Sequence, residues 1–367
     1  MRLHILALPG DGIGPEVLRA AVTVLEAVGR RFGHEIDLVE GLVGGAAIAR
    51  RGVPLPPETV ALGTAADATL LGAVGLPEFD ALPPARRPER GLLDLRQALG
   101  VFANIRPSRT WPSLLDASPL KNPVVDGTDL VFVRELTSGI YYGTPRGVSG
   151  SGPDERAVNT LSYTRAEIER VARVAFELAA GRRRKVTSVD KSNVLENSQL
   201  WRRVVSEVAV GYPGIELNHL LVDNCAMQIV LNPRQFDVVL TENLFGDILS
   251  DEAAVLAGSI GMLASASLGA FREGGGSRRG LYEPVHGSAP DIAGCGIANP
   301  LGAIGSVAAM LDYSFSLREE AAAVRRAIDE VVASGQVTPD LRPRGTPATT
   351  GQVTAATAAR VEAMVLA

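Results

Sequence analysis

The chain has 367 residues, more than one hydrophobic core usually organises, so we expect two or three domains. With 36 Lys and Arg against 41 Asp and Glu, its net charge of -5 is opposite to the basic surface that nucleic acid selects. The two cysteines exclude a disulfide framework and a cysteine-rich zinc site, and they fit a reducing compartment.

Export and membrane insertion are also unexpected. The N-terminal apolar stretch has about six residues before Pro9, too few for the core of a signal peptide. Elsewhere charges, glycines or prolines interrupt every stretch before the roughly 20 apolar residues that a bilayer-spanning helix needs. The sequence therefore predicts a soluble, cytoplasmic protein with neither a membrane nor a nucleic-acid partner.

The first hundred residues alternate between apolar strand-like runs and amphipathic stretches. Strands are expected at 3–8, 35–39 and 68–71, and helices at 17–31, 57–65 and 90–99. Such alternation is typical of an α/β fold, in which helices cover both faces of a parallel or mixed sheet.

Residues 101–163 break this rhythm. Strand-like runs at 101–105, 130–133 and 140–142 follow one another without helices, which predicts that a different sheet begins here. Residues 144–154 are rich in Gly, Ser and Pro and are flanked by tyrosines, so we expect a projecting arm rather than a slack linker.

Helices and strands alternate again from residue 165 to residue 256. The expected helices are 165–180, 198–210, 224–231 and 246–256, and the expected strands are 186–189, 215–222 and 236–240. Glycine-rich turns over 258–280 then lead to helices at 299–313, 318–333 and 351–366. The α/β class therefore applies to both ends of the chain.

A glycine-rich loop, residues 10–14, lies between the first strand and the first helix, where a dinucleotide-binding loop would be found. Its spacing is G-x-G-x-G, whereas the Rossmann fingerprint needs G-x-G-x-x-G so that the third glycine packs helix on strand. Glu40, at the end of the second strand, only imitates the ribose-binding acid. We interpret the loop as a tight strand-to-helix turn, with cofactor contact as the less favoured alternative.

Charged residues in apolar surroundings give the strongest chemical signal. Three arginines, Arg96, Arg106 and Arg134, predict a polycarboxylate ligand, because planar guanidinium groups match carboxylates; the alternative is pairing with neighbouring acids. Asp247 and Asp251 lie one helical turn apart, where a hard cation such as Mg²⁺ or Mn²⁺ would relieve their repulsion. A solvated acidic helix face is the alternative there.

Two further segments carry candidate chemistry. Lys191 follows a strand and could take up a proton, and Tyr141 could donate one, although a surface lysine and a core tyrosine are the ordinary expectations. Residues 283–294 are rich in small residues and predict a binding loop, in which His286 stacks on a planar ligand and Asp291 accepts hydrogen bonds from hydroxyl groups.

Seven segments occur in the order of one enzyme family: LPGDGIGPEV, ERGLLDLR, FANIRP, VRELTSGIYYG, SVDKSNVL, FDVVLTENLFGDILSDEA and EPVHGSAPDIAGCGIANP. Together they resemble the β-decarboxylating dehydrogenases, which include the isopropylmalate, isocitrate, homoisocitrate and tartrate dehydrogenases. The similarity runs from residue 3 to beyond residue 311 and is weaker in the C-terminal helices. It implies an oxidoreductase that moves a hydride from C2 of a 2-hydroxy acid to NAD and then releases CO2.

The resemblance implies roles for the charged residues. The malate carboxylates would be held by three arginines, namely Arg96, Arg106 and Arg134. Lys191 would take the hydroxyl proton, and Tyr141 would help to protonate the enol. Mg²⁺ or Mn²⁺, stabilising the enolate, would be held by three carboxylates, namely Asp223, Asp247 and Asp251. Of these, Asp223 would also contact the substrate.

For the cofactor, the resemblance implies a site away from the first glycine loop. Adenosine would bind on the loop 283–291, with His286 against the adenine. The implied cofactor-binding residues are Asn193, Glu283, His286, Gly287, Ser288, Ala289, Asp291 and Asn299. A carboxylate at Asp291 repels a 2′-phosphate, so NAD is expected rather than NADP.

The substrate implied by the resemblance is 3-isopropylmalate, of leucine biosynthesis. The wall that would receive its isopropyl group comprises Glu89, Leu92 and Leu93, with Val194 from a partner subunit. Another 3-substituted malate or tartrate is the alternative, since residues 73–79 and the glycines at 274–276 depart from the usual pattern. A non-catalytic regulatory subunit is a further alternative, against which the retention of all the charged residues argues.

The implied fold has two domains with the active site in the cleft between them. Residues 1–101 and 258–367 would form a large α/β domain carrying the NAD site, with a dinucleotide site that is not of the Rossmann type. Residues 102–257 would form a central domain with the dimer interface and the arm, about 144–163. Lys191 and Asp223 come from the neighbouring subunit in this family, so an obligate homodimer is expected.

Overall fold

The secondary structure is that of a computed structural model, which describes residues 1–272, 277–343 and 345–364. Its strands are β1 (Arg2–Gly10), β2 (Glu35–Glu40), β3 (Ala68–Ala73), β4 (Ala103–Arg109), β5 (Asp129–Glu135), β6 (Gly147–Ser149), β7 (Arg156–Val158), β8 (Lys185–Asp190), β9 (Glu216–Leu221), β10 (Val238–Thr241), β11 (Ala264–Phe271) and β12 (Arg278–Pro284). Its α-helices are α1 (Gly14–Phe32), α2 (Gly44–Arg51), α3 (Pro57–Ala65), α4 (Pro88–Leu99), α5 (Asn122–Val125), α6 (Arg165–Ala180), α7 (Glu196–Ala209), α8 (Val222–Leu231), α9 (Asn243–Ala254), α10 (Leu301–Tyr313), α11 (Arg318–Ala333) and α12 (Thr350–Ala363).

Ten of these strands form one mixed sheet, in the order β2-β1-β3-β12-β11-β4-β5-β10-β8-β9. The pairings on either side are parallel, whereas β12–β11, β11–β4 and β4–β5 are antiparallel. The α/β class is therefore confirmed. The expectation of a different sheet from residue 101 is wrong, because β4 pairs with β11, with Ile105 opposite Ala266, and so continues the same sheet.

The strand order separates two parts of the chain. Strands β1, β2, β3, β11 and β12 occupy one half of the sheet, and β4, β5, β8, β9 and β10 occupy the other, so that the β11–β4 pair is the junction. The division into a domain of 1–101 with 258–367 and a domain of 102–257 remains a prediction. Strands β6 and β7 form a separate antiparallel ribbon whose residues are all exposed.

The observed helix bounds agree with the predicted ones where a capping motif in the sequence defines the end of a helix. Helix α6 begins after Thr164, whose side chain accepts from the Glu167 backbone N–H while the Glu167 carboxylate accepts from the Thr164 backbone N–H. This capping box satisfies N–H groups that have no partner within the helix. No helix in the described ranges is long and apolar enough to cross a membrane.

Two local expectations are wrong, and one helix was not predicted. Residues 140–142 do not form a strand: Gly139–Tyr141 is a single 3₁₀ turn, in which Gly139 has a φ of 77° and its carbonyl accepts from the Tyr142 N–H at 3.1 Å. The span 258–280 is not a run of turns, because its small residues form β11, which hydrogen-bonds to a strand on each side. Helix α2 was not among the expected elements. The glycines at 274–276 lie outside the described residues.

Candidate active site

Three arginines distant in sequence meet near helix α9. Arg96 lies on α4, Arg106 on β4 and Arg134 on β5, and all three residues are buried. Arg134 Nη1 donates to Asp247 Oδ1, and Arg106 Nη2 lies 3.5 Å from the same oxygen. Burial, together with the charges of Arg134 and Arg96, lowers the pKa of Arg106 to about 10. The cluster is still cationic at neutral pH and fits an anionic ligand.

The carboxylate of Asp247 is the centre of this cluster. Burial opposes its ionisation, but the charges of Arg134 and Arg106 and a hydrogen bond from Tyr141 outweigh burial and lower the pKa of Asp247. Tyr141 donates to Asp247 Oδ2 at 2.8 Å, and burial with the Asp247 charge raises the pKa of Tyr141 to about 12. The phenol is therefore protonated at physiological pH and is available as a proton donor.

Asp251 lies one turn further along α9. Its carboxylate accepts from Arg106 Nη1 at 3.1 Å, and about half of the side chain is exposed. Burial and the nearby charge of Asp247 raise the pKa of Asp251, despite the opposing effect of Arg106. The structure thus brings together the two carboxylates of α9, and their repulsion is visible in that shift.

Lys191 and Asp223 form a second group. Lys191 Nζ donates to Asp223 Oδ1 at 2.7 Å, and this hydrogen bond lowers the pKa of Asp223. Asp223 lies in the first turn of α8, where the helix dipole favours a negative charge. Within 1–272, 277–343 and 345–364, no three His, Cys, Asp or Glu side chains are close enough to share a metal ion. Within one chain, Asp223 is therefore not close enough to Asp247 and Asp251 for the three carboxylates to bind one metal ion.

The turn that carries Lys191 is held by buried side chains. The Lys191 backbone N–H donates to Ser198 Oγ at 3.1 Å, and the buried carboxylate of Asp190 accepts from Ser192 N at 2.9 Å and from Arg202. Asn193 and Val194 are exposed on this turn, and Val194 N donates to Lys191 O. Val194 is 62% exposed, so within one chain it presents an apolar side chain to solvent.

The predicted substrate wall lies on α4. Glu89 is exposed, and Leu92 and Leu93 are half-buried, one to two turns before Arg96. Arg96 Nη2 donates to Glu283 Oε1 at 2.6 Å, and both side chains are buried. This ion pair places Glu283, a predicted cofactor residue, directly beside the predicted substrate arginines.

The predicted cofactor loop is folded around His286. Its Nδ1 lies 2.8 Å from Gly287 O, and its Nε2 is buried without a hydrogen-bond partner among the described residues. Burial lowers the pKa of His286, so the ring is neutral. Ser288 is buried, Ala289 is half-buried with a φ of 34°, and Asp291 is exposed. A neutral, partly unsatisfied ring fits a planar partner with hydrogen-bonding edges.

Asn299 follows the predicted cofactor loop in the chain and precedes α10. The side chain is buried, its Oδ1 accepts from Leu301 N at 3.0 Å, and its Nδ2 donates to Asp340 Oδ2 at 3.0 Å. Asn299 therefore hydrogen-bonds to the first residue of α10 in this structure. Any contact with a cofactor would come in addition to that structural role.

Asp11 is a site-forming residue that the sequence analysis missed. Its buried carboxylate accepts three backbone hydrogen bonds, from Gly45 at 2.8 Å, Ala46 at 2.7 Å and Gly75 at 2.8 Å. It thereby stabilises the N-terminus of α2 and ties the first glycine loop to residues 73–79. An aspartate between two glycines at a strand-to-helix turn was the available signal.

The first glycine loop is a tight turn, as its spacing predicts, and it packs against the predicted cofactor loop. Strand β1 ends at Gly10 and α1 begins at Gly14. Ile13 N donates to Ser288 O at 2.7 Å, and a Cβ on Gly12 would collide with that oxygen. Gly75 lies close to Glu89 and Ser288, so the unusual 73–79 segment lies beside both the predicted substrate wall and the predicted cofactor loop.

The two thiols differ in accessibility, which makes a testable difference in reactivity. Cys225 is fully buried, and burial raises its pKa to about 12, whereas Cys295 is exposed. At pH 8 the thiolate fraction of Cys225 is roughly 10⁻⁴. We expect iodoacetamide to label Cys295 alone in the folded protein and both thiols in denaturant, as measured by peptide mass spectrometry. Labelling of Cys225 at a comparable rate without denaturant would contradict this.

An α/β fold in which buried arginines face carboxylates is typical of enzymes that act on organic polyacids. Residues 4–357 match the family described as isocitrate/isopropylmalate dehydrogenase, and the chain belongs to that family. It is a β-decarboxylating dehydrogenase, which confirms the resemblance seen in the motifs.

Individual relatives are similar over nearly the whole chain. A 3-isopropylmalate dehydrogenase of Halalkalibacterium halodurans is 56% identical over 345 residues, covering 94% of this chain and 93% of its own. That of Bacillus subtilis is 57% identical over 343 residues, covering 93% and 92%. The crystal structure of isocitrate dehydrogenase from Methylococcus capsulatus aligns with a TM-score of 0.85 at 37% identity, covering 98% of this chain and 99% of that one.

Proposed function

We propose that the protein catalyses the NAD-dependent oxidative decarboxylation of 3-isopropylmalate to 4-methyl-2-oxopentanoate and CO2, in leucine biosynthesis. The observation that carries the proposal is the cluster in which Arg106 and Arg134 face Asp247 and Tyr141. The choice of substrate is supported by identities of 56% and 57% to 3-isopropylmalate dehydrogenases, against 37% to an isocitrate dehydrogenase. We infer a cytoplasmic setting, since both cysteines are free thiols.

The arginines bind and orient the substrate. Arg106 and Arg134 are buried by the protein itself and their donors are fixed by protein hydrogen bonds, so binding an anion needs little further desolvation or ordering of these side chains. Two carboxylates of a malate would replace solvent and supplement Asp247 as counter-ions. The 3-substituent would then project towards Leu92 and Leu93 on α4.

Two side chains move protons. As the hydride leaves C2 for NAD, Lys191 accepts the proton of the C2 hydroxyl, and the product is a β-keto acid. The C3 carboxylate then departs as CO2, and the electron pair of the broken C–C bond forms the enolate. Tyr141, a neutral phenol by virtue of its raised pKa, donates a proton to C3 and gives the 2-oxo acid.

The carboxylates of α9 fit a divalent cation. Asp247 and Asp251 offer hard oxygen donors, and burial together with the neighbouring charge of Asp247 raises the pKa of Asp251, a cost to its ionised form that a cation would offset. Asp223 of a second protomer would complete the set. Bound Mg²⁺ or Mn²⁺ would withdraw electron density from the substrate oxygens and stabilise the enolate.

The loop 283–291 fits the adenosine part of NAD. His286 offers a neutral ring, and the exposed carboxylate of Asp291 can accept from ribose hydroxyl groups. The same charge would repel the 2′-phosphate of NADP. We therefore infer NAD as the preferred cofactor, bound in a cleft between the two proposed domains.

The proposal is tested by measuring NADH formation with 3-isopropylmalate, isocitrate, tartrate and malate, each with and without EDTA. We expect 3-isopropylmalate to have the highest kcat/KM, EDTA to abolish turnover, and NADP to support less turnover than NAD. Equal turnover of isocitrate would refute the substrate assignment. Faster NADPH formation would refute the cofactor assignment.

We also propose a homodimer that shares its active sites. Helices α8 and α9 pack together, and they and the turn after α9 expose apolar side chains, namely Met227, Val230, Leu231, Ile248 and Val255. Monomers rarely expose such a surface, and a second copy of it would bury it across a two-fold axis. Asp223 lies on α8 and Asp247 on α9, so this arrangement would bring the Lys191 group of one protomer to the arginine cluster of the other.

If each active site is formed by two subunits, two inactive variants should regain activity when they are combined in a heterodimer. In a heterodimer of Lys191→Met and Asp247→Asn subunits, one of the two sites contains only unaltered residues. We expect the heterodimer, purified through two different affinity tags, to show about half of the wild-type activity. Each homodimer serves as its own control. A heterodimer as inactive as both homodimers would show that each chain supplies its own lysine.

A further inference from the structure

Asn243, the first residue of α9, connects Arg134 to the loop before Tyr141. Its Oδ1 accepts from Arg134 Nε at 3.0 Å and from Arg134 Nη2 at 2.7 Å, and its Nδ2 donates to Ser138 O at 2.9 Å. The residue is 1% exposed. Both polar atoms of the side chain are thus engaged inside the protein, away from solvent.

The position of the amide is fixed by its own backbone. Asn243 N donates to Tyr163 Oη at 2.9 Å, and Tyr163 Oη donates to Glu242 Oε2 at 3.1 Å. Glu242 Oε1 accepts from Phe245 N at 2.6 Å and so caps the same helix. The amide therefore cannot move independently of the helix that carries Asp247.

These contacts divide the Arg134 guanidinium into two parts. The edge formed by Nε and Nη2 is committed to Asn243, whereas Nη1 is directed to Asp247. The acceptor on the committed edge is a neutral amide. Arg96 differs, because its partner is the carboxylate of Glu283, which offsets the arginine's charge.

We propose that Asn243 is a positioning residue that orients Arg134 towards a substrate carboxylate without adding a second negative charge to that of Asp247. A neutral acceptor fixes the orientation of the guanidinium and leaves the charge that Asp247 does not offset to the anionic ligand. A carboxylate at this position would fix the orientation equally well but would compete with the substrate for the charge. The inference rests on the proposed function only in taking a substituted malate as the ligand of Arg134.

The test compares Asn243→Asp with Asn243→Ala. Both variants lose the donor to Ser138, and the alanine variant also loses the acceptor for Arg134 and leaves a cavity. A purely structural role therefore predicts that alanine is the more harmful change. The proposed role predicts the reverse order for substrate affinity, with a loss of roughly tenfold or more for Asn243→Asp, because its negative charge opposes a dianionic ligand.

The measurements are calorimetric affinity for 3-isopropylmalate, the KM and kcat for each substrate, and the melting temperature. We expect the KM for NAD to stay within about twofold in both variants. Thr357→Val is the matched control, since it removes another buried side-chain hydrogen bond, to Val353 O, far along α12. It should lower the melting temperature without changing the affinity for the malate.

The outcomes separate this inference from the proposed function. If the wild type turns over a different substituted malate, the proposed substrate is wrong, and the same series is measured with that malate. If alanine weakens malate binding more than aspartate does, the positioning role is overturned. Should Asn243→Asp fail to fold, Asn243→Ala carries the test, and an unchanged KM for the malate overturns the inference.

Discussion

Replacement of Lys191 by methionine is expected to lower kcat by about 10²- to 10⁴-fold, the usual contribution of a positioned general base. Methionine keeps the length of the side chain but cannot accept the hydroxyl proton. The turn around Lys191 is fixed by Ser198 and Asp190, so the fold and the KM values should change little. Steady-state kinetics and circular dichroism check both parts.

Lys185→Met is the matched control for this variant. Lys185 begins the same strand, β8, and its Nζ lies 3.6 Å from Glu216 Oε1, so it also has an acidic partner. Its replacement should leave kcat near the wild-type value. A Lys191→Met enzyme with full activity would remove Lys191 as the base.

Asp247→Asn is expected to lower kcat/KM by roughly 10²- to 10³-fold, the range found when one transition-state charge partner is lost. The change also removes the counter-ion shared by Arg106 and Arg134, both of which are buried. Leaving buried charges without that partner costs about 2 kcal/mol of folding free energy. The affinity for manganese, measured by electron paramagnetic resonance, should fall together with the activity.

The stability loss in Asp247→Asn should depend on pH in a defined direction. Because the folded protein lowers the pKa of Asp247, the ionised carboxylate contributes stability above its ordinary pKa, and this contribution is lost as pH falls through the lowered value. The difference in unfolding free energy between wild type and variant should therefore shrink in acid. A difference that grows in acid would contradict the assigned charge state.

Glu252→Gln provides the control on the same helix. Burial raises the pKa of Glu252, so its ionised form contributes no comparable stabilisation, and its charge acts on Cys225 rather than on the arginine cluster. We expect its kcat/KM and its manganese affinity to match those of the wild type. A loss equal to that of Asp247→Asn would indicate a general effect of charge on α9.

Many local elements of the fold could be read from the sequence, because their causes are local. The bounds of α3, α6 and α11 coincide with the expected ones, and α6 has its own capping box at Thr164. Strand β11 was missed, since its small residues have little strand preference and form a strand only by hydrogen-bonding to β4 and β12. A sheet pairing between residues so far apart leaves no local pattern.

The chemistry of the candidate site was identified by residue type, but its partners were not. Motif and spacing single out Arg96, Arg106 and Arg134, yet nothing local indicates that Arg96 binds Glu283 or that Arg134 is held by an amide. Asp11 illustrates the same limit, because its three backbone partners lie in two other segments.

The amino-acid sequence by itself determined the α/β class, the family and the residues that carry charge, since these depend on hydrophobic periodicity, composition and motif order. Only the tertiary structure decided that ten strands form one sheet, that Asp247 is the shared counter-ion of two buried arginines, and that Lys191 pairs with Asp223 in a separate group. The physical reason is that burial and Coulomb interactions depend on distance in space, which chain folding sets between residues more than 100 positions apart, as between Arg134 and Asp247.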